Sequence, residues 1–168
     1  IRAGLPKDAV KVIYPTVFEN TQKADDKTLA LYALALQQMG AYDEAFKTFE
    51  NLDFKLVPEA NLYFAIALFS KWDYKSAINY LEDYIANNEI VPYQKLVGQI
   101  NLAQAFLISG EIKKSEKLIS ELLITTKEKK HFLLYANALE INAQLLLVQK
   151  KYPEMTNILN ESRSLIAK

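Results

Sequence analysis

The sequence predicts an all-α fold of repeated antiparallel helical hairpins, and three observations carry that expectation. Five prolines and four glycines in 168 residues are too few for a sandwich of many tightly turned strands. Apolar residues recur at steps of three and four, as in Leu29, Tyr32, Ala33 and Leu36, which is one face of a helix with a 3.6-residue period. A run at Leu139, Ala143 and Leu146 repeats it with Asn142 as a polar exception. The third observation is self-similarity at fixed spacing, developed below. Ala, Leu, Lys, Glu and Gln fill nearly every segment between breaks, which favours helix throughout. Roughly nine helices of about ten to nineteen residues follow.

The breaks place the elements in order. A first helix is expected over 6–20, with Pro15 inside its apolar run, where a missing N–H and a steric clash kink or end it. Asp25 and Asp26 stand where a carboxylate caps the next helix. Gly4, Gly40 and Gly110 each precede a helix by two or three residues, the place for a left-handed residue ending the previous one. Pro58 and Pro153 mark helix starts, where proline loses no hydrogen bond. Gly98 falls inside a helical run and implies a close helix–helix approach.

The repeat is a template of four positions: a small residue, a β-branched or aromatic one nine later, a slim one three further, a large apolar one four beyond. Its copies are Ala33–Tyr42–Ala45–Phe49, Ala65–Tyr74–Ala77–Leu81, Ala103–Ile112–Ser115–Ile119 and Ala143–Tyr152–Met155–Leu159. Successive copies lie 32, 38 and 40 residues apart. With the spacing inside each copy constant, the connections between hairpins are expected to lengthen. A half copy precedes them, since Gly4 to Ala9 runs parallel to Gly40 to Ala45. Physically, the small residue on the first helix lets the second come close, and the aromatic plugs the hairpin corner. The slim residue one turn on receives the next hairpin, and stacking buries the face each hairpin leaves open.

The segment Gly40-Ala-Tyr-Asp-Glu-Ala45, followed by Phe49 and preceded by Leu29, Tyr32, Ala33 and Leu36, resembles a tetratricopeptide repeat (TPR). Lys71 to Ala77 is a second good copy. The third and fourth are looser, with Ser115 and Met155 at a usual Ala and Asn142 at a usually large apolar position. The resemblance covers about residues 4–166 and implies a right-handed α-solenoid of antiparallel hairpins, a single domain over 1–168. Its parts would be a half repeat over 4–20 and repeats over about 26–54, 58–88, 93–126 and 131–166. The lone helix at the front and the absent initiating Met suggest a fragment of a longer protein.

Chemistry is scarce. There is no cysteine and one histidine, His131, so thiolate sites are impossible, and a lone imidazole reads best as a solvated residue at a helix start. The acidic pairs Asp25-Asp26, Asp43-Glu44 and Glu82-Asp83 read as caps and as partners of helix dipoles. No phosphate-binding glycine loop or calcium loop is present. No enzyme, no cofactor and no metal is the expectation. Lys and Arg total 20 against 20 Asp and Glu, which offers no surplus for a phosphate backbone, so no nucleic acid is expected. No segment approaches the roughly 20 apolar residues that cross a bilayer, so direct membrane insertion is not expected. A cysteine-free chain suits either a cytoplasmic or an extracytoplasmic setting. The charge is uneven: 10 basic against 13 acidic residues up to 110, then 10 against 7. The later half holds a basic run of Lys113, Lys114, Lys117, Lys127, Lys129 and Lys130. A solvated face is its simplest explanation, an acidic partner or head-to-tail association the sharper one.

The TPR resemblance implies a concave wall of residues from the first helix of each hairpin. Carried across, the wall is Leu34, Gln37 and Gln38; Leu62, Tyr63, Ile66 and Phe69; Asn101, Gln104 and Leu107; Glu140, Gln144, Leu147 and Val148. Asn101 falls where family members place an amide on a peptide backbone, with Gln104 one turn on. The basic positions that clamp a C-terminal carboxylate are not filled, which disfavours an acidic tail. A protein or peptide partner held in this groove is the expected function. Homodimeric assembly through the groove or the open repeat edge is the alternative.

Overall fold

A computed structural model describes residues 5–19 and 24–166. Among them are nine α-helices and no strand. Gly4 and Asn20, the first and last residues of the expected half repeat, lie outside the described residues. The chain divides into two compact units, one ending at Ile90 and the other starting at Val91.

The first unit begins with α1 (Pro6–Tyr14), which has Pro6 in its first turn. Pro15 ends the α-helix, as its missing N–H requires, and the chain continues as a single π-helical turn over Pro15–Glu19. α2 (Asp26–Gln38) is capped by Asp25, whose carboxylate accepts a 2.7 Å hydrogen bond from the Thr28 N–H. That bond holds the Asp25 carboxyl below its ordinary range. α3 (Tyr42–Glu50), α4 (Glu59–Ser70) and α5 (Tyr74–Ala86) complete two hairpins. Their core is aromatic. Phe64 of α4 is ringed by Phe46, Phe49, Phe54 and Tyr80 at centroid separations of 4.9–5.6 Å. Edge and tilted contacts of this kind add to the area that the rings remove from water. Tyr84 is 1% exposed, and burial pushes its phenol up to about 12.

The second unit holds α6 (Pro92–Ile108), α7 (Ile112–Glu128), α8 (Phe132–Val148) and α9 (Tyr152–Ile166). Its core is aliphatic. Leu96, Ile100, Ala103 and Leu107 of α6 face Leu134, Ala138, Ile141 and Leu145 of α8, with Ile119 and Leu122 of α7 between. Both four-residue sets follow the i, i+4, i+7, i+11 rule of one helix face. Three helices are tied at the surface. The Tyr135 hydroxyl donates to Glu161 at 2.7 Å, and Lys127 lies 3.8 Å from the same carboxylate oxygen.

The template positions explain how tightly each hairpin closes. Ala33, Ala45, Ala65, Ala77, Ala103 and Ser115 are all 0% exposed, and Phe49 and Leu81 likewise. Two expectations change. The Ser115 hydroxyl donates to the Ala103 carbonyl at 2.9 Å, so this slim position seats the first helix of its own hairpin. The corner position plugs the corner only at Tyr74, stacked 4.5 Å from Phe69, and at Ile112, packed on the core. Tyr42 and Tyr152 are 42% and 53% exposed.

The lengthening repeat has a different origin from the expected one. Connections between hairpins shrink along the chain, from residues 51–58 to 87–91 to 129–131. The helices grow instead, from 9–13 residues in α2 to α5 to 15–17 in α6 to α9. Constant spacing across a corner says nothing about the far ends of the helices, and that is where the added residues went.

Five corners share one geometry. Gly40 and Gly110 are left-handed at φ 82° and 83°, and Trp72, Lys130 and Lys150 stand at the equivalent place with φ 56–61°. At each, the next residue's N–H bonds back to the carbonyl five residues earlier, as from Ala41 to Leu36 and from Lys151 to Leu146. This is the Schellman closure, which satisfies carbonyls that the helix end leaves open.

Candidate functional site

Each hairpin's first helix leaves one stripe turned away from the core. On α2 it comprises Lys27, Leu31, Leu34 and Gln38, and on α4 Glu59, Tyr63, Ile66 and Ser70, none of them buried. Both sets follow i, i+4, i+7, i+11 spacing, so each forms a line along its helix. Between the two lies a hollow of about 280 Å³ lined by Lys27, Ala30, Leu31, Leu34, Val57, Glu59 and Tyr63. Its walls are largely apolar, with one ammonium and one carboxylate among the lining groups. Leu34 and Tyr63 of the expected wall are brought together here. Gln38 lines a different hollow, with Leu5, Pro6, Lys7, Asp8, Lys11 and Met39. Gln37 and Ile66 are half-buried. Phe69 is committed to the α4–α5 corner by its stack on Tyr74.

In the second unit the stripe on α6 is Val97, Asn101, Gln104 and Ile108. On α8 it is Leu133, Asn137, Glu140, Gln144 and the pair Leu147 and Val148. The two stripes meet where the Gln104 amide donates to the Gln144 side-chain oxygen at 3.1 Å. The Asn101 amide donates one N–H to the Val97 carbonyl of its own helix at 2.8 Å. Glu140 is exposed.

Two wall expectations need correction. Leu107 is 5% exposed and belongs to the core stripe that runs from Leu96. The residue that ends the outward stripe is its neighbour Ile108, 47% exposed. Leu62 is 6% exposed and faces the interior of the first unit. In both cases a shift of one residue turns the side chain through about 100°, enough to exchange wall for core. Lys27, Leu31, Glu59, Ser70, Val97, Ile108, Leu133 and Asn137 stand on the outward stripes and were not among the expected residues. Leu31 and Ile108 had a signal, because they extend Leu34 and Gln104 by one helical turn.

A larger apolar hollow, about 370 Å³, lies elsewhere in the first unit. It is lined by Val17 and Phe18 of the π-turn, Leu29, Tyr32 and Leu36 of α2, and Glu44, Lys47, Thr48 and Asn51. The hydroxyl of Thr48 and the amide N–H of Asn51 are both bonded to backbone carbonyls of their own helix. Among the described residues no group of three His, Asp or Glu side chains could hold a metal. His131 precedes α8 and meets the Tyr93 ring edge-on at 5.1 Å. No helix described is long and apolar enough to cross a membrane.

No family model matches this chain, and no curated protein matches it. Solved structures do. A point variant of a kinesin light chain-like protein of Podosopora anserina, built of nearly identical TPR-like repeats, superposes with a TM-score of 0.74. The identity is 16%, over 99% of this chain and 89% of that one. The MamA RS-1 ArsTM double mutant gives 0.72 at 16% identity, over 99% and 88%. The chain therefore has a TPR-like helical-repeat fold.

Proposed function

We propose that this protein is a non-enzymatic protein–protein interaction scaffold that holds a peptide or helix of a partner along the outward stripes of its first helices. The observation that carries the reading is composition in register. Both units present stripes with solvent access that set apolar side chains beside polar ones, the amides being Gln38 in the first unit and Asn101, Gln104, Asn137 and Gln144 in the second, and one stripe pair borders a hollow of about 280 Å³. Apolar hollows take partner side chains, and amides pair with a partner's backbone. The structural neighbours share a repeat architecture whose open faces suit binding.

Affinity capture from the native source tests this. Leu34→Glu, placed in the hollow, and Gln144→Ala, in the second unit, should together reduce recovery of the captured partner by roughly tenfold or more. Far-UV circular dichroism should stay unchanged, because neither side chain is in a core. Recovery equal to wild type would show that the stripes do not carry the contact.

A second reading, homo-oligomeric assembly, is favoured by α1. None of its residues is buried, and Val12 is 76% exposed. Leu5 and Phe18 flank it at 55% and 59%. A dimer in light scattering that Val12→Glu dissociates would support self-association through this edge; a monomer at micromolar concentration would remove it.

A further inference from the structure

We infer that the corner end of the second unit's stripes selects an acidic amphipathic segment, one that sets Leu- or Ile-like side chains beside carboxylates. This deepens the groove reading and rests on it. The Gln104–Gln144 bond at 3.1 Å fixes the two stripes side by side. One turn beyond it, toward the α6–α7 and α8–α9 corners, come Ile108 on α6 and Leu147 and Val148 on α8. These three are 47%, 51% and 57% exposed. Three large aliphatic side chains stand at one end of the paired stripes, all about half in water, where a partner's aliphatic side chains would cover them.

The rim of the patch is positive. The Gln149 amide donates to Glu116 at 3.1 Å, which brings the α8–α9 corner against the first turns of α7. Around that contact stand Lys113, Lys114, Lys117, Lys150 and Lys151 against Glu111, Glu116 and Glu154, a local charge of +2. The carboxylates are partly spent, since Glu111 pairs with Lys114 and Glu116 accepts from Gln149. Lys113, Lys150 and Lys151 are exposed and pair with no carboxylate among the described residues. The Lys150 backbone is left-handed and closes the corner. Ammonium groups left unpaired around an apolar patch complement a partner whose charges are negative and whose contact residues are aliphatic. The site differs from a clamp for a chain's terminal carboxylate, since its lysines stand at the corners and not along the stripes.

Fluorescence anisotropy tests the inference with a fluorescein-labelled peptide of about 14 residues in which Leu pairs alternate with Glu pairs, long enough for four helical turns. Matched peptides carry Lys for Glu or Ser for Leu. The Glu/Leu peptide should bind at least ~10-fold more tightly than the Lys/Leu peptide at low salt, and the difference should shrink as salt screens it. Lys113→Glu with Lys151→Glu should erase or invert that preference. An acid in the first turn of α7 suits the helix dipole, so the variant keeps its fold, which circular dichroism checks. Leu147→Ser with Val148→Ser should weaken the Glu/Leu peptide by ~10-fold or more. Equal binding of the Glu and Lys peptides, both lost in the serine variant, would overturn the acidic preference and leave the groove reading standing. Failure of every peptide to bind overturns both. Sedimentation with phosphatidylserine vesicles, without peptide binding, would assign the patch to a membrane surface and overturn the inference.

Discussion

The two units solve the same packing problem with different materials. The unit up to Ile90 uses short helices and an aromatic core centred on Phe64, and it holds six of the eight phenylalanines. The unit from Val91 uses helices of 15–17 residues whose cores are lines of Leu, Ile and Ala. Large rings fill a core over few turns; aliphatic residues need more turns to remove comparable area. The charge difference runs in parallel. The first unit has 9 basic against 13 acidic residues and the second 11 against 7, or −4 and +4. Packing and surface charge can therefore vary from unit to unit while the corners stay constant.

The comparison breaks most sharply at the cores. Phe64→Ala removes the ring that four others touch and should cost about 3–5 kcal/mol, while Leu122→Ala in the aliphatic core should cost about 2–4 kcal/mol. Urea unfolding followed by circular dichroism measures both. A loss at Phe64 below that at Leu122 would show that the ring cluster is not the keystone of the first unit.

Corners should respond more weakly, and in opposite directions. Gly110→Ala meets no neighbouring atom within 4 Å, so its cost is conformational alone, about 1 kcal/mol. Lys130→Gly relieves the same strain where a side chain already bears it, and should stabilise by about 0.5 kcal/mol after the added freedom of the unfolded chain. Thermal melts of the pair test the shared geometry. Shifts of the same sign would contradict it.

Those corners show what was legible and what was not. Gly40 and Gly110 announced left-handed positions because glycine is the residue that adopts them freely. Trp72, Lys130 and Lys150 occupy the same place with no signature, since the Schellman bonds impose the conformation on whatever residue the register delivers. The small positions from Ala33 to Ser115 were legible because close helix approach tolerates little else. Which side chains face outward on each first helix was less legible residue by residue. Leu34 and Tyr63 fell on the hollow, whereas Leu107 belonged to the core and Ile108 to the outward stripe. Spacing defines a stripe, and the neighbouring helices then choose which of two adjacent stripes they cover.

Amide hydrogen exchange of the whole chain, with and without its captured partner, tests the central claim most directly. The groove reading expects new protection along 27–38 and 59–70 in the first unit and along 97–108 and 133–148 in the second. α3 and α5, and α7 and α9 beyond their first two turns, should remain at their unbound rates. Protection confined to α1, or to those second helices, would contradict it.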